Sequence, residues 1–288
     1  MAESNTDVLD FAKAYAKLTD EEKNISYCQN WLAMLRNANN FSYWFPKIVG
    51  LREKGIYVPR SYISFVPEEV YLSFFMEQAG DRECVVNWVK RRLMPAIEKY
   101  FTEQDIFIKN GCFSNKFNFN KNCHIFQKDN AFDIAEKIIN IMYDGLCLDT
   151  DGFTEVVMRE WIEPEPGTKT IYNGMPFRPE MRVFYDFDQK KVLYTVNYWD
   201  WDYCHDPICE RNADDAAVYE SEYKRENELV EAFGKKYLPL IQDALSSVRM
   251  LGKWSVDFIL EKDRIILIDM AVAHRSAYYD QKKIANEE

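Results

Sequence analysis

Close to its C-terminal end the chain reads Trp254-Ser-Val-Asp-Phe-Ile-Leu-Glu-Lys-Asp-Arg-Ile-Ile-Leu-Ile-Asp-Met-Ala-Val-Ala273. Two β-branched, apolar runs joined by a polar turn at Glu261 to Arg264 predict a β-hairpin. Each predicted strand carries one acidic residue, Asp257 and Asp269, where an apolar residue is expected. An ionised carboxylate inside a sheet is costly unless a partner compensates it. Two such groups side by side repel unless a cation lies between them. Their positions therefore suggest a divalent metal, and oxygen-only ligands favour Mg²⁺ or Mn²⁺ over zinc. Pairing of each aspartate with a buried Arg or Lys, or exposure to solvent, would satisfy the same residues. If the two repel, removing either one is expected to leave stability unchanged or slightly higher.

Composition narrows the classes. A chain of 288 residues can bury one large core or the cores of two or three small lobes. With 47% hydrophobic and 15% aromatic residues it is not a disordered chain. No apolar run is long enough to span a bilayer, and no basic-then-apolar leader opens the sequence, so a cytoplasmic protein with no membrane partner is expected. Seven cysteines, odd in number and without a CxxC pair, fit reduced thiols rather than a disulfide framework. Cys204-His205 with Cys209 has the look of half a zinc site; no second half is visible, and the cluster is read as not metal-binding. A formal net charge of −11 argues against nucleic acid as a default partner.

The first forty residues look helical, with Thr19 and Glu22 as a capping box and Tyr27, Trp31, Leu32 and Leu35 as an apolar face. An aromatic-rich segment, Phe41 to Lys54, precedes a short strand entered from Gly55. Helices are expected from Pro67 to Gly80 and from Arg82 to Tyr100, then a strand from Asp105 to Lys109. Asn110 to Asn122 reads as a polar loop, His124 to Lys128 as a strand, and Asn130 as the cap of a helix to Tyr143. Thr154 to Ile162 reads as a strand broken at Glu163-Pro-Glu-Pro-Gly167. Glu180 to Phe187 and Lys191 to Trp199 form an antiparallel pair, and a long amphipathic helix, kinked at Gly234 and Pro239, spans roughly Asp214 to Arg249. The class is α+β with mostly antiparallel late strands.

Four features fall in order along this framework: Lys109 at a strand end before a polar loop, Met158-Arg-Glu-Trp-Ile-Glu163 running into a proline-marked break, Glu180-Met-Arg182, and the Asp257/Asp269 pair. In this order they resemble the ATP-grasp superfamily, from about residue 42 to residue 275. Within it, Phe41-Ser-Tyr-Trp-Phe-Pro-Lys47, Arg159-Glu-Trp-Ile, Glu180-Met-Arg182 and Leu267-Ile-Asp269 look most like the eukaryotic assembly factors for translation initiation factor two. The resemblance implies an ATP-grasp fold holding nucleotide between two α+β lobes behind a helical N-terminal extension. Its regions would be 1–65, a first lobe at 66–160 with the phosphate loop, and a second at 161–288 with the metal carboxylates.

What the resemblance implies for the residues is chemically coherent. Lys109, and Lys47 from the earlier segment, would hold phosphate as point charges. The Glu160, Trp161, Ile162 hinge would take adenine through the backbone C=O of Glu160 and the N–H of Ile162. Glu163 or Glu165 would meet ribose. Arg182 would stabilise charge on a transferring phosphoryl group, and Asp257 and Asp269 would hold Mg²⁺, with Mn²⁺ as a substitute. The implied activity is an ATP- and Mg²⁺-dependent ligase joining a carboxylate to an amine or thiol through an acyl-phosphate. An ATP-binding assembly factor for a protein client is the alternative, and an interaction module without nucleotide a third. Two departures bear on the choice. Ala271 stands where the family commonly has asparagine as a further metal ligand, and the loop after Lys109 holds one glycine, Gly111. The chain lacks a GxxxxGK[ST] loop, the kinase HRD and DFG motifs, and the Lys-x-Asp-Gly of covalent nucleotidyl transferases.

Overall fold

The structure is a computed structural model that describes residue 19 and residues 32–73, 81–147, 154–261 and 263–285. The chain divides into two compact units, residues 1–37 and 38–288. All elements named below belong to the second. Most of the expected N-terminal helix, with Glu22 of its capping box, lies outside the described residues.

The aromatic-rich segment is helix α1, Phe41–Ile48, followed by a 3₁₀ turn, Val49–Lys54. It ends at Gly55, whose φ of 82° is accessible to glycine at no steric cost. Strands β1 (Ile56–Tyr57) and β2 (Ser61–Phe65) follow, then α2 (Glu68–Ser73), α3 (Asp81–Trp88) and, through a π-helical turn at Val89–Leu93, α4 (Met94–Tyr100). Strand β3 (Ile106–Asn110) opens the expected polar loop, which contains a 3₁₀ turn at Lys116–Asn118 and a short helix, α5 (Phe119–Asn122). Hydrogen bonds from Phe119 N to Tyr172 O and from Asn120 N to Asn173 O tie this segment down, which is why it is not a free loop. Strand β4 is only His124–Ile125, and α6 runs over Ala131–Cys147. Asn130 caps α6 as expected, its Oδ1 accepting from Phe132 N and Asp133 N.

Strand β5 (Glu155–Glu160) leads to the small hairpin β6 (Thr170–Ile171) and β7 (Met175–Pro176), then to β8 (Glu180–Asp186) and β9 (Lys191–Asn197). A helix not expected from the sequence, α7 (Trp201–Arg211), precedes α8 (Ala213–Ser246). Helix α8 runs for 34 residues through Gly234 and Pro239. The closing hairpin is β10 (Lys253–Glu261) and β11 (Arg264–Val272), and α9 (Gln281–Ala285) follows.

Among the described residues the strands form two large sheets beside the small β6–β7 hairpin, in the expected α+β class. One is five-stranded in the order β1-β11-β10-β8-β9, antiparallel except for β1 beside β11; the other is four-stranded, β2-β5-β3-β4, and wholly antiparallel. Alternation decides which face is which. Met181, Val183 and Tyr185 of β8 and Trp254, Val256 and Phe258 of β10 pack against Val230, Phe233, Ile241 and Leu245 of α8. The intervening residues, Glu180, Arg182, Asp257 and Ile259, therefore face the other way, where they line a cavity.

Candidate functional site

Strand β11 has to break its alternation to reach that cavity. Asp257 opposes Asp269, but the next residue of β10, Phe258, opposes Leu267, so Ile268 is an extra, bulged residue. Ile265 and Leu267 lie in the core, and strict period-two alternation would send Asp269 there too. The bulge resets the face. Ile268 and Asp269 both line the cavity, while Met270 returns to the core. Asp257 and Asp269 are thus register partners that both line the cavity.

Each aspartate has its own cation. Arg182, opposite Asp257 in the β8–β10 register, donates from Nε to Oδ1 and from Nη2 to Oδ2, both at 2.8 Å. This bidentate fork outweighs the burial that would otherwise depress the guanidinium, and holds its pKa above the ordinary value. Lys109, at the end of β3 in the other sheet, donates from Nζ to both oxygens of Asp269, at 3.0 and 2.8 Å. Its side chain is 2% exposed, against 35% for Asp269.

Further cations complete the wall. Arg159, which lines the cavity from β5, donates from Nη1 to Ile268 O, while its buried Nε has no hydrogen-bond partner among the described residues. Burial lowers its pKa to about 10, with Asp269 and Glu160 acting in the opposite sense. Lys116 donates to the Tyr198 hydroxyl and lies over that ring at 3.9 Å, with Arg182 on it at 4.9 Å. Burial opposes the Lys116 charge, but Tyr198 and Glu180 more than restore it and raise its pKa. Arg178 bonds Glu261 at 3.0 Å and the carbonyl of Ile162 at 3.3 Å. Glu180 is pushed up to about 7 by burial; Asp257 adds to the rise and Lys116 and Arg182 work against it. The pocket's charges nearly cancel, so it favours an anion that brings its own counter-cation over a free polyanion.

The residues singled out in the sequence separate into two groups. Arg182, Asp257, Asp269, Glu160, Trp161 and Ile162 line one cavity, and Lys109 touches it through Asp269. Glu163 is bound by the Trp161 indole N–H at 2.9 Å and does not line the cavity. Lys47 is exposed, its ammonium over the Tyr43 ring at 3.5 Å and bonded to Tyr43 O, away from the lining residues. The Glu160 carboxylate faces Tyr57 and Arg60. Trp161 stacks on His124 at 4.3 Å. Lys116 and Arg178 were not singled out by the sequence; a lysine in a polar loop and an arginine before a proline carry no signal of burial. Arg159 could have been found, because it alternates in phase with Val157, a core residue of β5.

The donor chemistry of Asp257 and Asp269, hard oxygens on one face, fits Mg²⁺. Both carboxylates are already compensated by Arg182 and Lys109. Among the described residues, no group of three metal-ligating side chains includes either. The cavity is about 150 Å³, smaller than the roughly 300–1,000 Å³ of most small-molecule sites, so a nucleotide needs these ion pairs to part.

No protein-family description matches this chain, and no curated protein matches it at a significant level. Solved structures of ATP-grasp proteins are among those it is similar to. Cdc123 from Schizosaccharomyces pombe is 15% identical with a TM-score of 0.46, over 83% of this chain and 85% of that one. A RimK-domain ATP-grasp protein from Sphaerobacter thermophilus is 11% identical with a TM-score of 0.34, over 86% and 61%. D-alanine–D-alanine ligase from Bacillus anthracis, complexed with ATP, is 12% identical with a TM-score of 0.35, over 86% and 60%. No described helix is long and apolar enough to cross a membrane.

Proposed function

We propose that the cavity between the two sheets is an ATP site of the ATP-grasp kind, and that this chain binds nucleotide as a factor acting on a protein client. The observation that carries nucleotide binding is Arg159, a cavity-lining residue whose buried Nε has no acceptor among the described residues. A buried donor left unmade costs about 1–3 kcal/mol, and an anionic ligand would recover it. Lys109, Lys116 and Arg182 would exchange carboxylate and phenol partners for phosphate oxygens. Asp257 and Asp269, so released, would hold the Mg²⁺ that travels with ATP. When bound, Mg²⁺ would neutralise phosphate charge. The Glu160 to Ile162 backbone would take the base, with Ile162, Ile259 and Ile268 against its faces. The division at residues 65 and 160 belongs to the same proposal.

Ala271 supports binding without turnover, because it offers no oxygen where the family commonly has a third metal ligand. The second reading is a carboxylate–amine ligase, favoured by the rigid Arg182 fork, which is well suited to charge that develops on a phosphoryl group in transit. Its acceptors would be small-molecule or peptide carboxylates and amines. The test is calorimetry and thermal denaturation with ATP, ADP and a non-hydrolysable analogue, with and without Mg²⁺, followed by phosphate release against a panel of acids and amines. A ligand at 100 times its Kd adds about 2.7 kcal/mol. No shift with any nucleotide at millimolar concentration overturns the site. Tight binding without phosphate release selects the client-factor reading, and acceptor-dependent release selects the ligase.

A further inference from the structure

Far along the chain from these carboxylates, α7 and α8 form a helical hairpin whose facing sides bring together His205, Cys209 and Glu220. The imidazole Nε2 is 3.0 Å from Glu220 Oε1 and 3.4 Å from Cys209 Sγ, and Cys209 Sγ is 3.9 Å from Glu220 Oε1. Zinc bonds of about 2.0–2.3 Å to nitrogen, oxygen and sulfur at the tetrahedral angle put ligand atoms about 3.3–3.6 Å apart. The three observed separations bracket that edge length. His205 and Cys209 are four residues apart on one helix, the spacing that puts two side chains on one face. Glu220 comes from the next helix, and is the partner that the local sequence around Cys209 does not reveal.

The surroundings suit a metal ligand. The other imidazole nitrogen, Nδ1, is 2.9 Å from Asp206 Oδ1, a carboxylate–histidine contact that orients the ring and turns Nε2 toward Glu220 and Cys209. Trp201 stacks on the ring at 4.3 Å and 20°, which holds its plane. His205 is 26% exposed and Glu220 51%, so an ion reaches the cluster from solvent. Thiolate, imidazole and carboxylate together select zinc over Mg²⁺, and their charges balance a divalent ion.

We propose that His205 Nε2, Cys209 Sγ and Glu220 form a three-ligand zinc site that clasps α7 to α8, with Asp206 positioning the imidazole and water in the fourth place. Zinc replaces the proton on Cys209 and the Nε2 proton that His205 donates to Glu220, both of which leave to solvent, and nothing is oxidised or reduced. The reading of Cys204-His205-Cys209 as not metal-binding is thereby revised. Cys204 itself is not a ligand, since its thiol meets Tyr198 O and the Tyr278 hydroxyl instead.

The test uses the full chain, stripped with chelator and titrated with Zn²⁺ against a chromophoric competitor and with Co²⁺ by absorption. Wild type is expected to bind one more equivalent of zinc than His205→Gln/Cys209→Ser, and to show thiolate-to-cobalt charge transfer with four-coordinate visible bands. Cys209→Ser should lose the charge-transfer band, Glu220→Gln should weaken zinc at least tenfold, and Asp206→Asn should weaken it by roughly 10–100-fold. Circular dichroism is to be run on each variant to check that it is folded. Equal zinc uptake by wild type and the double variant, or a cobalt spectrum unchanged by Cys209→Ser, overturns the site and leaves a hydrogen-bonded trio.

Discussion

Lys109 and Asp269 are 160 residues apart in sequence and meet at 2.8 Å, the one reaching from β3 of the four-stranded sheet and the other from the bulge of β11 in the five-stranded sheet. The contact is asymmetric, because the lysine is 2% exposed and the aspartate 35%.

That asymmetry predicts unequal costs. Asp269→Asn strands a buried ammonium, and is expected to destabilise by about 3 kcal/mol in urea denaturation, in the range for breaking a buried pair. Lys109→Met leaves a carboxylate that water can reach, and should cost about 1 kcal/mol or less. Asp257→Asn belongs with the first, since the fork of Arg182 is buried on both sides. The expectation that removing either aspartate would spare stability rested on mutual repulsion, and the cations paired with each remove that repulsion. Equal costs for Asp269→Asn and Lys109→Met would contradict this account.

Nucleotide affinity should sort the cations. Arg159→Met and Lys109→Met are expected to weaken ATP binding at least tenfold by calorimetry, while Lys47→Ala, held on Tyr43 at the surface, changes it by less than twofold. Arg182→Lys keeps the charge and loses the fork. It should leave affinity within a few-fold, and in the ligase reading should lower kcat more than it raises KM.

Glu180 gives a pH signature. Its folded-state pKa near 7 lies above the ordinary carboxylate value, so between the two the folded protein binds more protons than the unfolded one. Stability from this group is therefore fully present below about pH 4.3, falls as pH rises, and is gone above about pH 7. Glu180→Gln should flatten that limb of a stability–pH profile; an identical slope in the variant would assign it to other groups.

Gly111→Ala is expected to destabilise by about 1–3 kcal/mol. A Cβ there would lie 2.4 Å from Glu155 Oε1 and 2.6 Å from its Cγ, and Glu155 is fully buried with Oε1 accepting from Ser42 N. The single glycine of this loop is thus a packing requirement. A melting temperature within a degree of wild type would show that Glu155 has room to move.

Much of the site was legible because it lies on regular strands. Arg182 and Asp257 stand one residue from core positions on β8 and β10, and period-two alternation alone puts them on the face opposite Val183 and Val256. Lys116 and Arg178 were not legible. Their partial burial goes with Tyr198 and Glu261, which lie 82 and 83 residues away. Helix α7 was missed because its apolar residues make a weak stripe and Pro207 lies inside it.

By itself the sequence determined the late hairpin, its two aspartates, the strand ending at Lys109 and the order of these features, since each is written in local periodicity and turn chemistry. Only the tertiary structure decided which way Asp269 points. Alternation from Ile265 and Leu267 sends it into the core, and the bulge at Ile268, set by pairing with β10, turns it to the cavity. Tertiary structure likewise decided that both aspartates are neutralised by protein cations, and that Glu220 meets His205 and Cys209. A charge's partner is fixed by where two distant segments pack, and local pattern carries no record of it.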